Sequence, residues 1–157
     1  MTTVTHYLDD RGIVYERLEH ARASTAMDEA LSLDVAMDEV AKAIVLDAER
    51  GHALAVVPGR RHLDMHKIRV ALEDPHAKLA TEAEIARDFP EFELGAVPAL
   101  GSFLHVPAYV DPEVIGNDFV VFAAGTQTES VRISIADLLA DESVIVAPLT
   151  KREQLVG

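Results

Sequence analysis

The chain has 157 residues and a formal net charge of −13, a length that suits one domain with a sizeable core. It contains no cysteine, which excludes disulfides, thiolate nucleophiles and zinc–cysteine sites, so catalysis would fall to oxygen, nitrogen or backbone groups. The acidity argues against broad binding to a phosphate backbone, DNA included, because such binding runs on lysine and arginine; an RNA would have to be held at its end or by a local patch.

No apolar run approaches the roughly 18 residues of a membrane span. Met1 to His6 has neither a basic start nor an apolar core, so no secretory signal is expected and the cytoplasm is the default location.

In chain order, Val4, Tyr7 and Leu8 share a helical face that should end before Gly12. Ile13 to Leu18 alternates as a first strand would. Ser24 or Thr25 can cap a helix to about Leu33, with Asp28 and Glu29 in its first turn. Val40 to Asp47 and His52 to Val57 form a hairpin around Glu49-Arg50-Gly51. Asp64 caps a helix through Leu72, and Thr81-Glu82-Ala83-Glu84 is a capping box for another ending near Phe89. Strands follow around Ala108 to Val110, Phe119 to Ala124 and Val131 to Ile133. Ser134 or Ile135 opens a short helix to Leu139, and Val144 to Ala147 forms a last strand. Hairpins interrupted by isolated helices do not give regular βαβ alternation, which points to an α+β fold with a mixed, strongly curved β-sheet and flanking helices, in a single domain over residues 1–157.

Lys42 sits inside the apolar run Val40-Ala41-Lys42-Ala43-Ile44-Val45-Leu46. Burying an ammonium costs several kcal/mol unless it is paired or reaches a wet pocket. Two readings stand: the lysine lines a cavity, or it alternates to solvent with Ala41 and Ala43 inside. Gly95 and Gly101 bracket Pro98 in a segment suited to a rigid loop against a ligand or to an ordinary turn. Gly125 ends an apolar strand, where exposed backbone N–H groups can polarise a carbonyl or simply complete a hairpin.

His62 and His66, four apart on the expected helix, suggest a metal pair, but no glutamate follows the first histidine and no third ligand is evident. No Gly-x-Ser-x-Gly elbow occurs. Asp9 and Asp10 are adjacent on a helix and face apart.

These pieces acquire an order when taken together with Glu19-His20, Ser24-Thr25, Leu54-Ala55-Val56-Val57-Pro58, Leu63-Asp64, Phe89-Pro90, Val110-Asp111 and Ile133-Ser134. From about Thr5 to Leu139 the chain resembles the YbaK-type editing domains associated with prolyl-tRNA synthetase, which are aminoacyl-tRNA deacylases. The resemblance implies that Lys42 projects into the pocket for the aminoacylated terminal adenosine, and that Gly125 is its catalytic companion. It further implies that His20, Thr25, Gly95, Pro98, Gly101, Ala124 and Thr126 bind substrate.

The implied reaction is ester hydrolysis by water, without metal, cofactor or covalent enzyme intermediate. Its partners would be the acceptor end of a mischarged tRNA and, as a second candidate, an aminoacyl-tRNA synthetase. A free-standing, trans-acting enzyme removing alanine, serine or cysteine from a tRNA such as tRNA-Pro is the expectation; a non-catalytic small-ligand or protein-binding module using the same pocket is the alternative. The chain has Ala99 where members often carry a second proline, and Ala43 where subgroups often carry threonine or asparagine.

Overall fold

The computed structural model describes residues 3–21 and 37–151. Helix α1 (Val4–Asp10) starts where the Thr3 hydroxyl accepts from the His6 N–H at 3.2 Å, and it buries Val4 and Leu8. Its end is closed by Ile13 N–H donating to Leu8 O, so β1 begins later than its alternation suggests, at Tyr15, and runs to Glu19. β2 (Ala41–Ala48) and β3 (Gly51–Pro58) form the expected antiparallel hairpin. Asp64 then caps α2 (Met65–Leu72), its carboxylate accepting from the N–H groups of His66 and Lys67.

After a two-residue strand β4 (Lys78–Leu79), α3 (Glu82–Asp88) opens with a complete capping box. Glu84 N–H donates to the Thr81 hydroxyl at 3.1 Å, and Thr81 N–H to the Glu84 carboxylate at 3.2 Å. Next come α4 (Gly101–Leu104), β5 (Ala108–Val110), α5 (Pro112–Ile115), β6 (Phe119–Thr126), β7 (Glu129–Ser134), α6 (Ile135–Leu139) and β8 (Val144–Val146). The short elements β4, α4 and α5 lack a periodic pattern long enough to read locally. The helix expected from Ser24 or Thr25 lies outside the described residues.

The strands make an antiparallel sheet β1-β7-β6 and a mixed sheet β4-β2-β3-β5-β8, in which β3-β5 and β5-β8 are parallel. A single parallel bridge, Val40 to Val121, links them among the described residues. The mixed α+β architecture with flanking helices thus agrees with the reading of the chain.

The two faces of β2 bury different layers. Ala41 and Val45, with Ala43 packed on them, join a core with Leu54, Val56, Phe122 and Val131. Leu46, with Ile44 packed beside it, belongs to a second core with Ala55, Val57, Leu149 and Ile68 of α2.

Candidate functional site

Alternation along β2 puts Lys42 on the Ile44–Leu46 face, away from Ala41 and Ala43. That face is not open water: Val57, its register partner on β3, is fully buried. Ala41 and Ala43 point inside, and the lysine itself is half-buried beside a second apolar layer. Desolvation lowers its pKa from the usual lysine value. The Val40–Val121 bridge is parallel, so β2 and β6 leave it in the same direction, Lys42 on one strand and Ala123 on the other. No further ladder pair joins these strands among the described residues, and Lys42 lies two residues beyond the bridge on β2.

On β6, pairing with β7 shifts register between Ala123 and Thr126. Within that irregularity Gly125 adopts φ 100°, and the Phe92 ring lies 3.2 Å from where a Cβ would stand. Only glycine accepts this backbone without strain. Gly125 N–H donates to Ala96 O at 2.9 Å, and Glu93 N–H donates to Gly125 O at 2.9 Å. The Glu93 carboxylate accepts from Gln127 N–H at 3.1 Å, while the Gln127 amide donates to Leu94 O at 2.9 Å.

Ala96 of the Gly95–Pro98 loop is thereby tied to Gly125, and Glu93 and Leu94 before the loop to Gly125 and Gln127, while Ala124 and Thr126 flank Gly125 on the same strand. Gly95 is exposed with φ 78°, and Pro98 is buried. The expectation that Gly125 offers a free strand-end donor is corrected, since its N–H is committed to Ala96. Among the described residues, the N–H groups of Val97 and Ala99 on the same loop have no backbone or side-chain acceptor.

His20 follows β1 and is held three ways. Its backbone N–H donates to Thr128 O at 3.0 Å, its Nδ1 lies 2.7 Å from Ala21 O, and its Nε2 lies 2.9 Å from the Ser130 hydroxyl. A carbonyl can only accept, so the neutral ring carries its proton on Nδ1 and accepts at Nε2. With Thr126, Thr128, Glu129, Arg17 and Glu19, His20 lines a cleft of about 440 Å³.

This arrangement can be set beside known proteins. Residues 20–140 match the aminoacyl-tRNA editing domain family. The chain belongs to that family. A solved structure described as a candidate trans-editing enzyme for prolyl-tRNA synthetase is 29% identical, with a TM-score of 0.81 over 95% of each chain. Another, a hypothetical protein at 20% identity, shares the fold with a TM-score of 0.85, covering 94% of this chain and 99% of that one. A 74-residue stretch is 31% identical to part of a proline–tRNA ligase of Fervidobacterium nodosum, spanning 47% of this chain but 13% of the ligase.

Within the editing domain, the remaining expected positions separate. Gly101 is the first residue of α4, buried, and a Cβ there would collide with Val106 O at 2.6 Å and the Ala108 Cβ at 2.9 Å. Its surroundings explain it as a packing glycine. Thr25 lies outside the described residues. His62 precedes the α2 cap rather than sharing a helical face with His66, which corrects the expected spacing of that pair. No group of three His, Asp or Glu suited to a metal occurs among the described residues.

Sequence reasoning missed Ser130, Phe92 and Gln127. Glu91-Phe92-Glu93 carries no local signal of its role, because the partners of Phe92 and Glu93 lie on β6 and its turn.

Proposed function

We propose that the editing domain is a cytoplasmic, trans-acting deacylase that hydrolyses the ester of a small amino acid, alanine, serine or cysteine, on a non-cognate tRNA such as tRNA-Pro. The observation that supports this reading is the half-buried Lys42 on β2, the strand bridged through Val40 and Val121 to β6, whose Gly125 is hydrogen-bonded to Ala96 of the Gly95–Pro98 loop. A cation in a poorly solvated place attracts the terminal phosphate or ester carbonyl more strongly than one in water.

In this scheme Lys42 orients the aminoacylated end. The Gly95–Pro98 loop, with the Val97 and Ala99 N–H groups as donors, holds the acyl carbonyl, and Gly125 keeps the loop in place. His20, with a fixed tautomer, presents an imidazole to the neighbouring cleft. Water attacks the carbonyl and gives up a proton to solvent, the tetrahedral oxyanion forms against the donors, and collapse breaks the ester C–O bond and expels the ribose oxygen, which takes up a proton from solvent. No metal or covalent enzyme intermediate takes part. A pocket that excludes by size separates substrates differing by a methylene by only about 1 to 3 kcal/mol, so several small amino acids should be accepted.

A deacylation assay with tRNA-Pro charged with alanine, serine, cysteine and proline tests the reading. Rapid release of one or more small amino acids with cognate prolyl-tRNA spared is expected; no release above the spontaneous rate from any ester would reject it.

A further inference from the structure

The chain is strongly acidic, yet its positive charge is not evenly spread. Residues 59–69, Gly-Arg-Arg-His-Leu-Asp-Met-His-Lys-Ile-Arg, carry four of the 14 lysines and arginines and a single acid. That acid, Asp64, is consumed as the α2 cap. The segment after β8 brings another cation to the same place. Leu149 N–H donates to the buried Asp111 carboxylate at 2.8 Å, Lys67 Nζ donates to Thr150 O at 2.7 Å, and Lys151 N–H donates to His62 O at 3.0 Å.

Arg60, His62, His66 and Lys151 are exposed, and Lys67 is half-buried at the edge of an apolar cleft. Two acids face the cluster. Glu113 grips Arg61 through two hydrogen bonds of 2.8 and 2.7 Å, which removes that arginine from use. Asp38 pairs with Arg60 at 2.9 Å, but both side chains are about half exposed, and such a pair is weak enough to exchange for a phosphate.

The cluster also lies in line with Lys42. Gly59 N–H donates to Val40 O, and Lys42 is paired in register with Val57. Ile68 of α2 shares a core with Val57 on the face to which Lys42 belongs. A backbone entering at Lys42 would therefore pass from the end of β3 along the start of α2.

We propose that Arg60, Lys67 and Lys151 form the docking surface for the phosphate backbone of the tRNA acceptor arm adjoining the bound terminal adenosine. The choice of RNA rests on the function proposed above. A local patch reconciles an acidic protein with a polyanionic partner: the patch attracts the arm next to the site, and the remaining acidic surface repels the rest of the nucleic acid.

The test is salt-dependent binding of uncharged tRNA by the parent and by R60Q/K67Q/K151Q, with deacylation measured in parallel. Each phosphate contact contributes roughly 0.7 to 0.9 to the slope of log K against log salt. The triple variant should therefore show a slope shallower by about 2 to 3, with a raised KM on full-length mischarged tRNA and an unchanged rate on a short aminoacylated acceptor-end oligonucleotide. If Lys67 proves necessary for folding, R60Q/K151Q touches exposed side chains only and should show about two-thirds of that slope change. A parent that hydrolyses esters alongside a variant with an unaltered slope overturns the docking surface and leaves the function standing. The reverse, a lost slope with no hydrolysis by the parent, supports docking and rejects the function. An unaltered tRNA slope with lost affinity for a prolyl-tRNA synthetase would also overturn the proposal, in favour of a protein partner.

Discussion

Gly125 donates its backbone N–H to the carbonyl of Ala96 at 2.9 Å, and this bond ties the end of β6 to the Gly95–Pro98 loop. Gly125→Ala must hold φ 100° with a Cβ 3.2 Å from Phe92. Strain of this kind costs about 1 to 3 kcal/mol. Urea denaturation should show a loss of that size, and deacylation should fall more steeply than stability as the loop loses its anchor. A variant as stable and active as the parent would refute the anchoring role.

Lys42→Ala should cut deacylation by roughly tenfold to a thousandfold, since one well-aimed donor in a dry site contributes about 1.4 to 4 kcal/mol. Lys42→Arg keeps the charge in a bulkier, planar group and should not restore the full rate. Rates equal to the parent in both would reduce Lys42 to a structural residue.

The same lysine makes a stability prediction. Its folded pKa is depressed by desolvation, so the folded state binds the proton less tightly than the unfolded chain. The penalty is present at neutral pH and is relieved as pH rises through the depressed pKa towards the unfolded value near 10.5. Lys42→Met should thus melt higher than the parent at pH 7, with the gap narrowing in alkaline buffer; a lower melting temperature at pH 7 would contradict it.

His52 clamps the hairpin to the end of α3, with Nε2 2.7 Å from the Asp88 carboxylate and Nδ1 3.2 Å from Leu46 O. Burial opposes charging the ring, but these acceptors outweigh it and raise the His52 pKa above 6.5. Asp88 is held well below the usual carboxylate range, first by Arg87 and then by His52. A raised histidine pKa contributes stability that is full below pH 6.5 and fades as pH climbs through the folded value; the Asp88 contribution is lost on acidification below about 3.8. The stability difference between the parent and His52→Gln should therefore shrink from pH 6 to pH 9. A difference that grows over this range would show the sign to be wrong.

Prolonged dialysis against a chelator should leave deacylation within about twofold of its starting rate, because His62 and His66 have no third ligand among the described residues and do not share a helical face. Loss of activity with recovery on adding zinc would assign that pair a role.

What the chain determined by itself is the set of features whose physics is local. The β2–β3 hairpin, the Asp64 cap and the Thr81–Glu84 capping box depend on neighbours a few residues apart, so composition and spacing were enough. The order of its motifs also carried the family. The tertiary structure decided which atoms remain available for chemistry. Gly125 was legible as a strand-end glycine, but only packing against Phe92 and Ala96 commits its N–H. His20 gains its fixed ring from Ser130, 110 residues away. Lys42 could be placed on a strand from its neighbours, yet which layer it enters depends on Ile68 and Leu149 covering that face. Contacts between segments so distant in sequence leave no local periodicity, and they were therefore decided by the fold alone.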